Sequence, residues 1–185
     1  MPLLVLETMV SSSIADMGTR WRDEAAGAAG CAIVLGAEGR VGSAFASRLL
    51  RDNFLVLADP ADPIAIAHSA TSAYLFDCAY SDGAPEAHIE RITGHLRHWR
   101  DYAGIFLPSS AWIDGDHPYG AAKRVVEALA GFYNSLGANV VTDRIGYFPG
   151  DGISADPTEP MIDRLVDGDT LYARVMTRML VRVAA

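Results

Sequence analysis

The stretch CAIVLGAEGRVG occupies residues 31–42 and decides how the rest of the chain is interpreted. Its first five residues are apolar, as in a strand that is buried on both faces of a parallel sheet. Three glycines follow with the spacing G-x-x-G-x-x-G, and apolar residues then recur at helical spacing across 41–50. A second apolar run, at 54–58, ends at Asp59. This order predicts a strand, a glycine turn, a helix and a second strand.

The three glycines have separate physical tasks in such a turn. Gly36 permits the tight bend, Gly39 lets backbone approach a pyrophosphate, and Gly42 lets the helix pack closely. The helix N-terminus then faces the anion, and Asp59 is placed to accept hydrogen bonds from a ribose. The alternative is a glycine turn that binds nothing. The cofactor-binding residues predicted from this stretch are Gly36, Glu38, Gly39, Arg40, Val41, Gly42 and Asp59.

Length and composition limit the class of protein. With 185 residues and 50% hydrophobic side chains, the chain can bury the core of one globular domain. The formal net charge of -8 argues against nucleic acid and against an anionic membrane as partners, so a small-molecule substrate fits better. No apolar run reaches the roughly 20 residues that span a bilayer, and residues 1–10 lack the basic start of a secretory signal. We therefore expect no membrane partner and a cytoplasmic location.

The remainder of the chain alternates apolar runs with amphipathic segments. Further strands are predicted at 73–78, 105–107 and 139–142, the second of them broken by Pro108, and helices at 64–70, 85–102, 119–136 and 171–183. This pattern predicts an α/β, doubly wound, Rossmann-like domain with a mainly parallel sheet of about six strands. The strand from Cys31 is expected at its centre, with the strand at Tyr74 beside it.

The chain is expected to consist of three segments. Residues 1–30 are predicted to form an N-terminal helical appendage, because serines at 11–13 lead into a helix start. Residues 31–150 form the predicted dinucleotide-binding domain, and residues 151–185 a C-terminal helical segment packed on it.

Three further groups of side chains are assigned structural tasks. Cys31 and Cys78 lie in predicted strands, where a reduced thiol behaves as a small hydrophobe. His95 and His98 share a helix face without a third ligand, so we interpret them as a surface pair and predict no metal site. Arginines recur along the last predicted helix, where a solvated face is favoured over binding of a carboxylate or a partner subunit. This arginine stripe consists of Arg174, Arg178 and Arg182.

Hydroxyl and amine side chains follow the strand predicted at 105–107. Ser109 and Ser110 come at its carboxyl end, the edge at which ligands bind in open α/β sheets. Tyr119 and Lys123 are four residues apart at the start of the next helix and so lie one above the other on one face. A phenol is a poor acid or base at neutral pH, and an ammonium group one helical turn away favours its ionised form. The alternative is an exposed helix pair without a chemical role.

Together these features resemble the short-chain dehydrogenase/reductase family over residues 31–150. The chain looks like a shortened member of the extended branch, the NAD-dependent epimerase/dehydratase type. The segments that carry the resemblance are GAEG at 36–39, SSA at 109–111, PYGAAK at 118–123, and RIG at 144–146 leading to PG at 149–150. They follow one another in the family's order.

The resemblance implies roles for three side chains. Lys123 would hold the nicotinamide ribose, the hydroxyl of Ser110 would bind the reacting carbonyl or alcohol, and Tyr119 would pass the proton. Ser109 is an equal candidate for the serine's role from composition alone. The implied function is that of an NAD(P)-dependent oxidoreductase or epimerase/dehydratase acting on a small carbonyl or alcohol.

The expected cofactor is NAD, because the carboxylate of Asp59 repels a 2′-phosphate and accepts from a free 2′-hydroxyl. Arg40 beside the turn offsets this preference and keeps NADP open. In place of the helix-strand-helix segment that lines the adenine pocket in the family, this chain has only residues 60–73. If that pocket is lost, no dinucleotide binds. Glu38 also departs from the family, since a carboxylate in the glycine turn must point away from a pyrophosphate.

The substrate side is shortened as well, because the interval from Ser110 to Tyr119 is brief and few residues follow Gly150. Two alternatives therefore stand beside hydride transfer. One is a non-redox cyclase, isomerase or dehydratase that uses Tyr119 as acid or base, with His117 and Asp116 as the next candidates. The other is a cofactor-binding protein without turnover.

The resemblance also implies a homodimer. In the family, the helices that correspond to 85–102 and 119–136 pack into a four-helix interface between two subunits. Exposed aromatic area on these helices would favour such an interface. The aromatic residues expected on their outer faces are Trp99, Tyr102, Phe132 and Tyr133.

Overall fold

The structure is a computed structural model that describes residues 27–80, 84–148 and 166–183. Over these residues, five strands alternate with five α-helices. The elements in chain order are β1 (Cys31–Leu35), α1 (Arg40–Arg51), β2 (Leu55–Ala58), α2 (Pro63–Ser69), β3 (Ala73–Asp77), α3 (Pro85–Arg97), a 3-10 turn (Trp99–Asp101), β4 (Gly104–Ser110), α4 (Pro118–Ser135), β5 (Val140–Ile145) and α5 (Gly168–Val183). None of the helices in these ranges is long and apolar enough to cross a membrane.

The sheet is parallel throughout, in the order β2-β1-β3-β4-β5. The predicted α/β, doubly wound, Rossmann-like fold is confirmed. The expectation of about six strands was wrong for the described residues, which form five. Between Asp59 and β3 the chain has room only for the short helix α2, so β2 is the edge of the sheet. For the same reason β3 occupies the middle, so the expectation that the strand from Cys31 lies at the centre was wrong, whereas its position beside β3 is confirmed.

Alternate residues of β1 face opposite sides of the sheet, and all five are buried because helices cover both faces. Cys31, Ile33 and Leu35 face a core formed with α3 and α4. Ala32 and Val34 face a second core formed with α1 and α5. The run 31–35 is therefore apolar throughout because both faces of β1 are buried, as assumed from the sequence.

Strand β4 continues through Pro108, which was expected to break it. The amides of Ile105 and Ala111 donate to carbonyls on the β5 side, so the nitrogen of Pro108 faces the other way. On that side the pairing with β3 ends at Phe106. Pro108 is tolerated because its missing N–H costs no ladder hydrogen bond there.

One interpretation of polar side chains on the helices needs correction. His95 is buried and lies 3.1 Å from the hydroxyl of Tyr102, so it is not part of a surface pair with His98. Arg174 and Arg178 are exposed, as expected for a solvated face. Both also contact the carboxylate of Asp143, at 2.6 and 3.4 Å, and so link α5 to β5.

The aromatic residues expected on the outer faces of the helices differ in exposure. Tyr102 is buried, and Trp99 and Tyr133 pack partly against the core, whereas Phe132 is 58% exposed. The expectation was therefore wrong for Tyr102.

The predicted appendage lies outside the described residues except for 27–30, as do the predicted helical residues 161–165 and Pro149 and Gly150 of the family segment. The division of the chain into three segments stays a prediction.

Candidate functional site

The glycine turn between β1 and α1 is built on two positions that exclude any side chain. Gly36 has a φ of 70°, and a Cβ there would lie 2.7 Å from the backbone of Ala79. A Cβ at Gly42 would lie 2.1 Å from the carbonyl oxygen of Gly36. These two glycines therefore let the turn and the first helical turn pack directly against the ends of β1 and β3.

Gly39 differs from them, because it is exposed and a Cβ there would meet only the Gly36 carbonyl oxygen, at 3.2 Å. It is the N-cap of α1, with no side-chain cap, and the first turn of the helix contains no acidic residue. A helix N-terminus of this kind attracts an anion through its N–H groups and its dipole. The residues present thus fit the pyrophosphate of a dinucleotide.

Asp59 follows β2, and its carboxylate bonds the glycine turn directly. Its oxygens accept from the backbone N–H groups of Gly36 at 2.6 Å and Ala37 at 3.0 Å. Asp59 is itself exposed, and each carboxylate oxygen has a further lone pair. The residue expected to bind a ribose therefore also holds the turn in place.

A cleft of about 310 Å³ opens at the carboxyl edge of the sheet. Its walls include seven residues that were candidates from the sequence for binding or catalysis, namely Gly39, Arg40, Val41, Ser109, Ser110, Tyr119 and Lys123. Four others do not line it, namely Gly36, Glu38, Gly42 and Asp59. Glu38 is exposed outside the cleft, as a carboxylate beside a pyrophosphate would have to be. The fold thus brings the helix start and the serine, tyrosine and lysine to one cavity.

The two serines at the end of β4 have different partners. The hydroxyl of Ser109 donates to the Glu127 carboxylate at 2.6 Å, and Arg144 makes two further hydrogen bonds to that carboxylate. The hydrogen bonds from Arg144, with a smaller contribution from Ser109, lower the pKa of Glu127 against the opposing effect of burial. The hydroxyl oxygen of Ser110 accepts the backbone N–H of Trp112 at 3.1 Å. The Ser110 hydroxyl proton has no such carboxylate acceptor, so it is the more available of the two.

Lys123 lines the cleft although only 4% of it is exposed. Its Nζ donates to the Pro108 carbonyl oxygen at 2.9 Å and lies 5.0 Å from the centre of the Tyr80 ring. Burial, reinforced by Arg91, lowers the pKa of Lys123 to about 8, against the opposing effect of Asp77. The amine is still mainly charged at neutral pH, and it loses that charge in mildly alkaline solution.

Tyr119 stands between two other aromatic rings at the start of α4. Its ring packs edge to face on Tyr80, with centroids 4.9 Å apart, and is stacked with His117 at 6.0 Å. His117 is the N-cap of α4, and its Nδ1 accepts from the backbone N–H of Gly120 at 2.9 Å. In neutral His117 the ring proton is therefore on Nε2. This hydrogen bond caps the N-terminus of α4, so His117 has a structural role next to Tyr119.

A buried polar network lies behind Lys123. Asp77, at the end of β3, binds Arg91 through two 3.0 Å hydrogen bonds, and Arg91 also lies 2.9 Å from Nδ1 of His88. Burial, then the charges of Lys123 and Arg91, lower the pKa of His88 to about 3. The His88 ring meets Tyr80 edge to face. This network supports the aromatic wall on which the ammonium of Lys123 rests.

Sequence reasoning missed Tyr80, Asp77 and Arg91. One signal was present for Asp77, since a carboxylate that ends a buried strand lies at the ligand-binding edge of a parallel sheet. Arg91 could not be placed, because its position among helical charges is typical of a solvated face. Among the described residues, no three His, Cys, Asp or Glu side chains are grouped so that they could hold a metal ion.

No protein-family model and no curated protein matches the chain, whereas solved structures do. CapF of Staphylococcus aureus, a capsular polysaccharide assembling protein, has a TM-score of 0.58 and 17% identity over 81% of this chain and 49% of that chain. A nucleoside-diphosphate sugar epimerase from Corynebacterium glutamicum has a TM-score of 0.58 and 14% identity over 92% of this chain and 47% of that chain. A GalE-like L-threonine dehydrogenase from Cupriavidus necator has a TM-score of 0.53 and 20% identity over 64% of this chain and 49% of that chain.

The chain shares the Rossmann-like fold of these structures. This chain spans about half the length of each of these three proteins. Identities this low show the fold alone, so activity has to be argued from the site.

Proposed function

We propose that the chain is an NAD(P)-dependent oxidoreductase or epimerase/dehydratase of the short-chain dehydrogenase type, acting on a small carbonyl or alcohol. One observation carries the proposal: Ser110, Tyr119 and Lys123 line a single cleft with the N-terminus of α1. Each of the four was identified independently along the sequence. Their convergence at the carboxyl edge of a parallel sheet supports a site in which a cofactor and a substrate meet.

The chain's own residues divide the binding of a dinucleotide between them. Gly39, Arg40 and Val41 would hold the pyrophosphate, and Asp59 a ribose at the edge of the sheet. Lys123 would hold the second ribose. The bound nicotinamide supplies or accepts the hydride.

Proton transfer falls to Tyr119, with Ser110 orienting the substrate oxygen. A hydroxyl that donates to the reacting carbonyl stabilises the negative charge that develops on its oxygen. Tyr119 then gives or takes the proton of that oxygen, and the ammonium of Lys123 lies 5.6 Å from the centre of its ring. Aromatic side chains from Tyr80 and Trp112 line the same cleft and reduce the access of water.

The second candidate is a member of the same fold without hydride transfer, either a non-redox cyclase, isomerase or dehydratase that uses Tyr119, or a cofactor-binding protein without turnover. The observation in its favour is that β2 is the edge of the sheet. In the described residues, no strand lies beyond β2 to support an adenine ring, and only α2 connects it to β3.

Titration calorimetry with NAD and with NADP tests the proposal. We expect NAD to bind more tightly, because the carboxylate of Asp59 repels a 2′-phosphate. Tighter binding of NADP would contradict the role of Asp59. Binding of neither dinucleotide would contradict the first candidate and also the dinucleotide-binding protein without turnover, and would leave the non-redox enzyme that uses Tyr119.

A further inference from the structure

Lys123 is the only lysine of the chain, because the other fourteen of its 15 Lys and Arg residues are arginines. An arginine keeps its proton in proteins, whereas a lysine amine can lose it and become a nucleophile. Lys123, the one lysine amine, is buried and lines the cleft, whereas lysines usually lie on the surface. Its position therefore invites a chemical explanation.

We propose that Lys123 forms an imine with small aldehydes or ketones that enter the cleft, in a reaction that needs no nicotinamide cofactor. This inference goes beyond the proposed function, in which Lys123 acts only as a cation. The substrate class is a small carbonyl compound that fits the cavity of about 310 Å³.

The geometry suits a neutral amine. Lys123 is 96% buried and lies among the rings of Tyr80 and Tyr119, with the Pro108 carbonyl as its hydrogen-bond acceptor at 2.9 Å. A neutral amine keeps two N–H groups, so it can donate one to Pro108 while its lone pair points elsewhere. Because the side chain lines the cleft, that lone pair is within reach of an entering carbonyl carbon.

Burial dominates the environment of Lys123, and the charges around it on balance oppose the effect of burial. Burial lowers its pKa to about 8, Asp77 at the end of β3 opposes this shift, and Arg91 on α3 adds to it by a smaller amount. Neither His88 nor Cys78 brings a charge of its own, because burial lowers the pKa of the histidine and raises the pKa of the thiol. Desolvation and a neighbouring cation are the two means by which proteins activate a lysine as a nucleophile.

The reaction balances with the residues present. The amine nitrogen adds to the carbonyl carbon while Tyr119 protonates the oxygen, and the phenolate then takes a proton from the nitrogen to give a carbinolamine. Tyr119 next protonates the hydroxyl group, which leaves as water while the nitrogen lone pair forms the C=N bond. The phenolate finally recovers its proton from the iminium, so one amine and one carbonyl give one imine and one water.

Reductive labelling tests the proposal. The folded chain is treated with acetaldehyde and sodium cyanoborohydride without any dinucleotide, and is then cleaved after arginine. Lys123 is recovered in the fragment 101–124, whose mass reveals an ethyl group on the amine. The same chain unfolded in guanidinium chloride is the reference, because there the amine has its ordinary pKa near 10.4. The labelling rate of the folded chain is divided by that of the unfolded chain. This division removes the contribution of the reduction step, which is common to both.

We expect this ratio to be at least about tenfold at neutral pH, since a pKa lower by roughly two units raises the neutral fraction about a hundredfold and lowers the nucleophilicity. The ratio should fall as the pH rises through about 8, where the folded amine is already neutral. A folded Lys123 that labels no faster than the unfolded one would overturn the proposal. So would a ratio independent of pH.

Two variants complete the test. Lys123→Arg keeps a cation and adds a cleavage site, so this variant gives the fragment 101–123, which must carry no ethyl group. Tyr119→Phe should slow labelling several-fold, and an unchanged rate would overturn the role of Tyr119. Labelling together with failure of NAD and NADP to bind supports the imine and counts against the oxidoreductase. Dinucleotide binding without labelling supports the oxidoreductase and counts against the imine.

Discussion

The Nζ atom of Lys123 lies 5.6 Å from the centre of the Tyr119 ring, one turn away on α4. The pair is held from behind by Tyr80, whose ring contacts both side chains. The cation and the phenol therefore line the same cleft, next to the hydroxyl of Ser110. This relationship is the basis of the proposed proton transfer.

Replacing Tyr119 by phenylalanine tests it most directly. Tyr119→Phe removes one hydroxyl and keeps the ring contacts with Tyr80 and His117, so stability should change by no more than about 1 kcal/mol. Turnover should fall by a factor of about 10² to 10⁴, the usual contribution of general acid-base catalysis. The matched control is Tyr133→Phe, on the same helix but outside the cleft, which should leave turnover unchanged. Full activity of Tyr119→Phe would exclude the mechanism and direct attention to His117 and Asp116.

The same assay should distinguish the roles of Ser109 and Ser110. Ser110→Ala should lower kcat by about 10², as the loss of one donor to a developing oxyanion does. Ser109→Ala removes the hydrogen bond to Glu127 and should cost about 1–2 kcal/mol of stability while changing kcat only a few-fold. Urea unfolding and steady-state kinetics on both variants decide the assignment. If Ser109→Ala were the inactive one, the roles given to the two hydroxyls would be reversed.

Cofactor preference depends on Asp59 in this proposal. Asp59→Asn removes the charge that repels a 2′-phosphate, so the preference for NAD over NADP measured by calorimetry should shrink or reverse. The variant should also lose some stability, because one of the two amides of the glycine turn is left facing an NH₂ group. Glu38→Gln is the matched control, since it removes an exposed carboxylate that belongs to the glycine turn itself. An equal effect of both variants would mean that only net charge matters.

Acid should destabilise the protein through His88. The folded pKa of His88 is lowered to about 3 from an ordinary 6.5, so the unfolded chain takes up the proton first as the pH falls. The free energy of unfolding should then decrease below pH 6.5, by up to about 1.4 kcal/mol per pH unit for this one proton. In His88→Gln the slope of stability against pH should be smaller by one proton. An unchanged slope in His88→Gln would contradict this assignment.

Local patterns predicted the parts of the site that depend on neighbours in sequence. The bend at Gly36 and the pairing of Tyr119 with Lys123 follow from spacing within one turn or one helix, and strand order brings them to one edge of the sheet. Glu38 could likewise be placed outside the cleft, because its charge left no other arrangement.

Contacts between distant segments could not be predicted in this way. Asp59 binds the glycine turn because β1 and β2 are adjacent, and the choice between Ser109 and Ser110 depends on Glu127 and Arg144 from two other elements. Pro108 was taken as a break because the sequence does not show that β3 ends beside it. Such features depend on the register between elements, which no local period encodes.

The exposed face of α4 predicts self-association. Val125, Phe132 and Leu136 recur at helical spacing and are 39%, 58% and 52% exposed, which is a large apolar stripe for a helix facing water. We expect a homodimer through α3 and α4, and light scattering at micromolar concentration should give twice the monomer mass. Phe132→Asp should convert it to a monomer, because a carboxylate buried in such an interface has no partner. Leu50→Asp is the matched control, since Leu50 is 52% exposed on α1 in the other helix layer and its change should leave the dimer intact. A monomeric wild-type chain would contradict the prediction, and a dimer unaffected by Phe132→Asp would place the interface elsewhere.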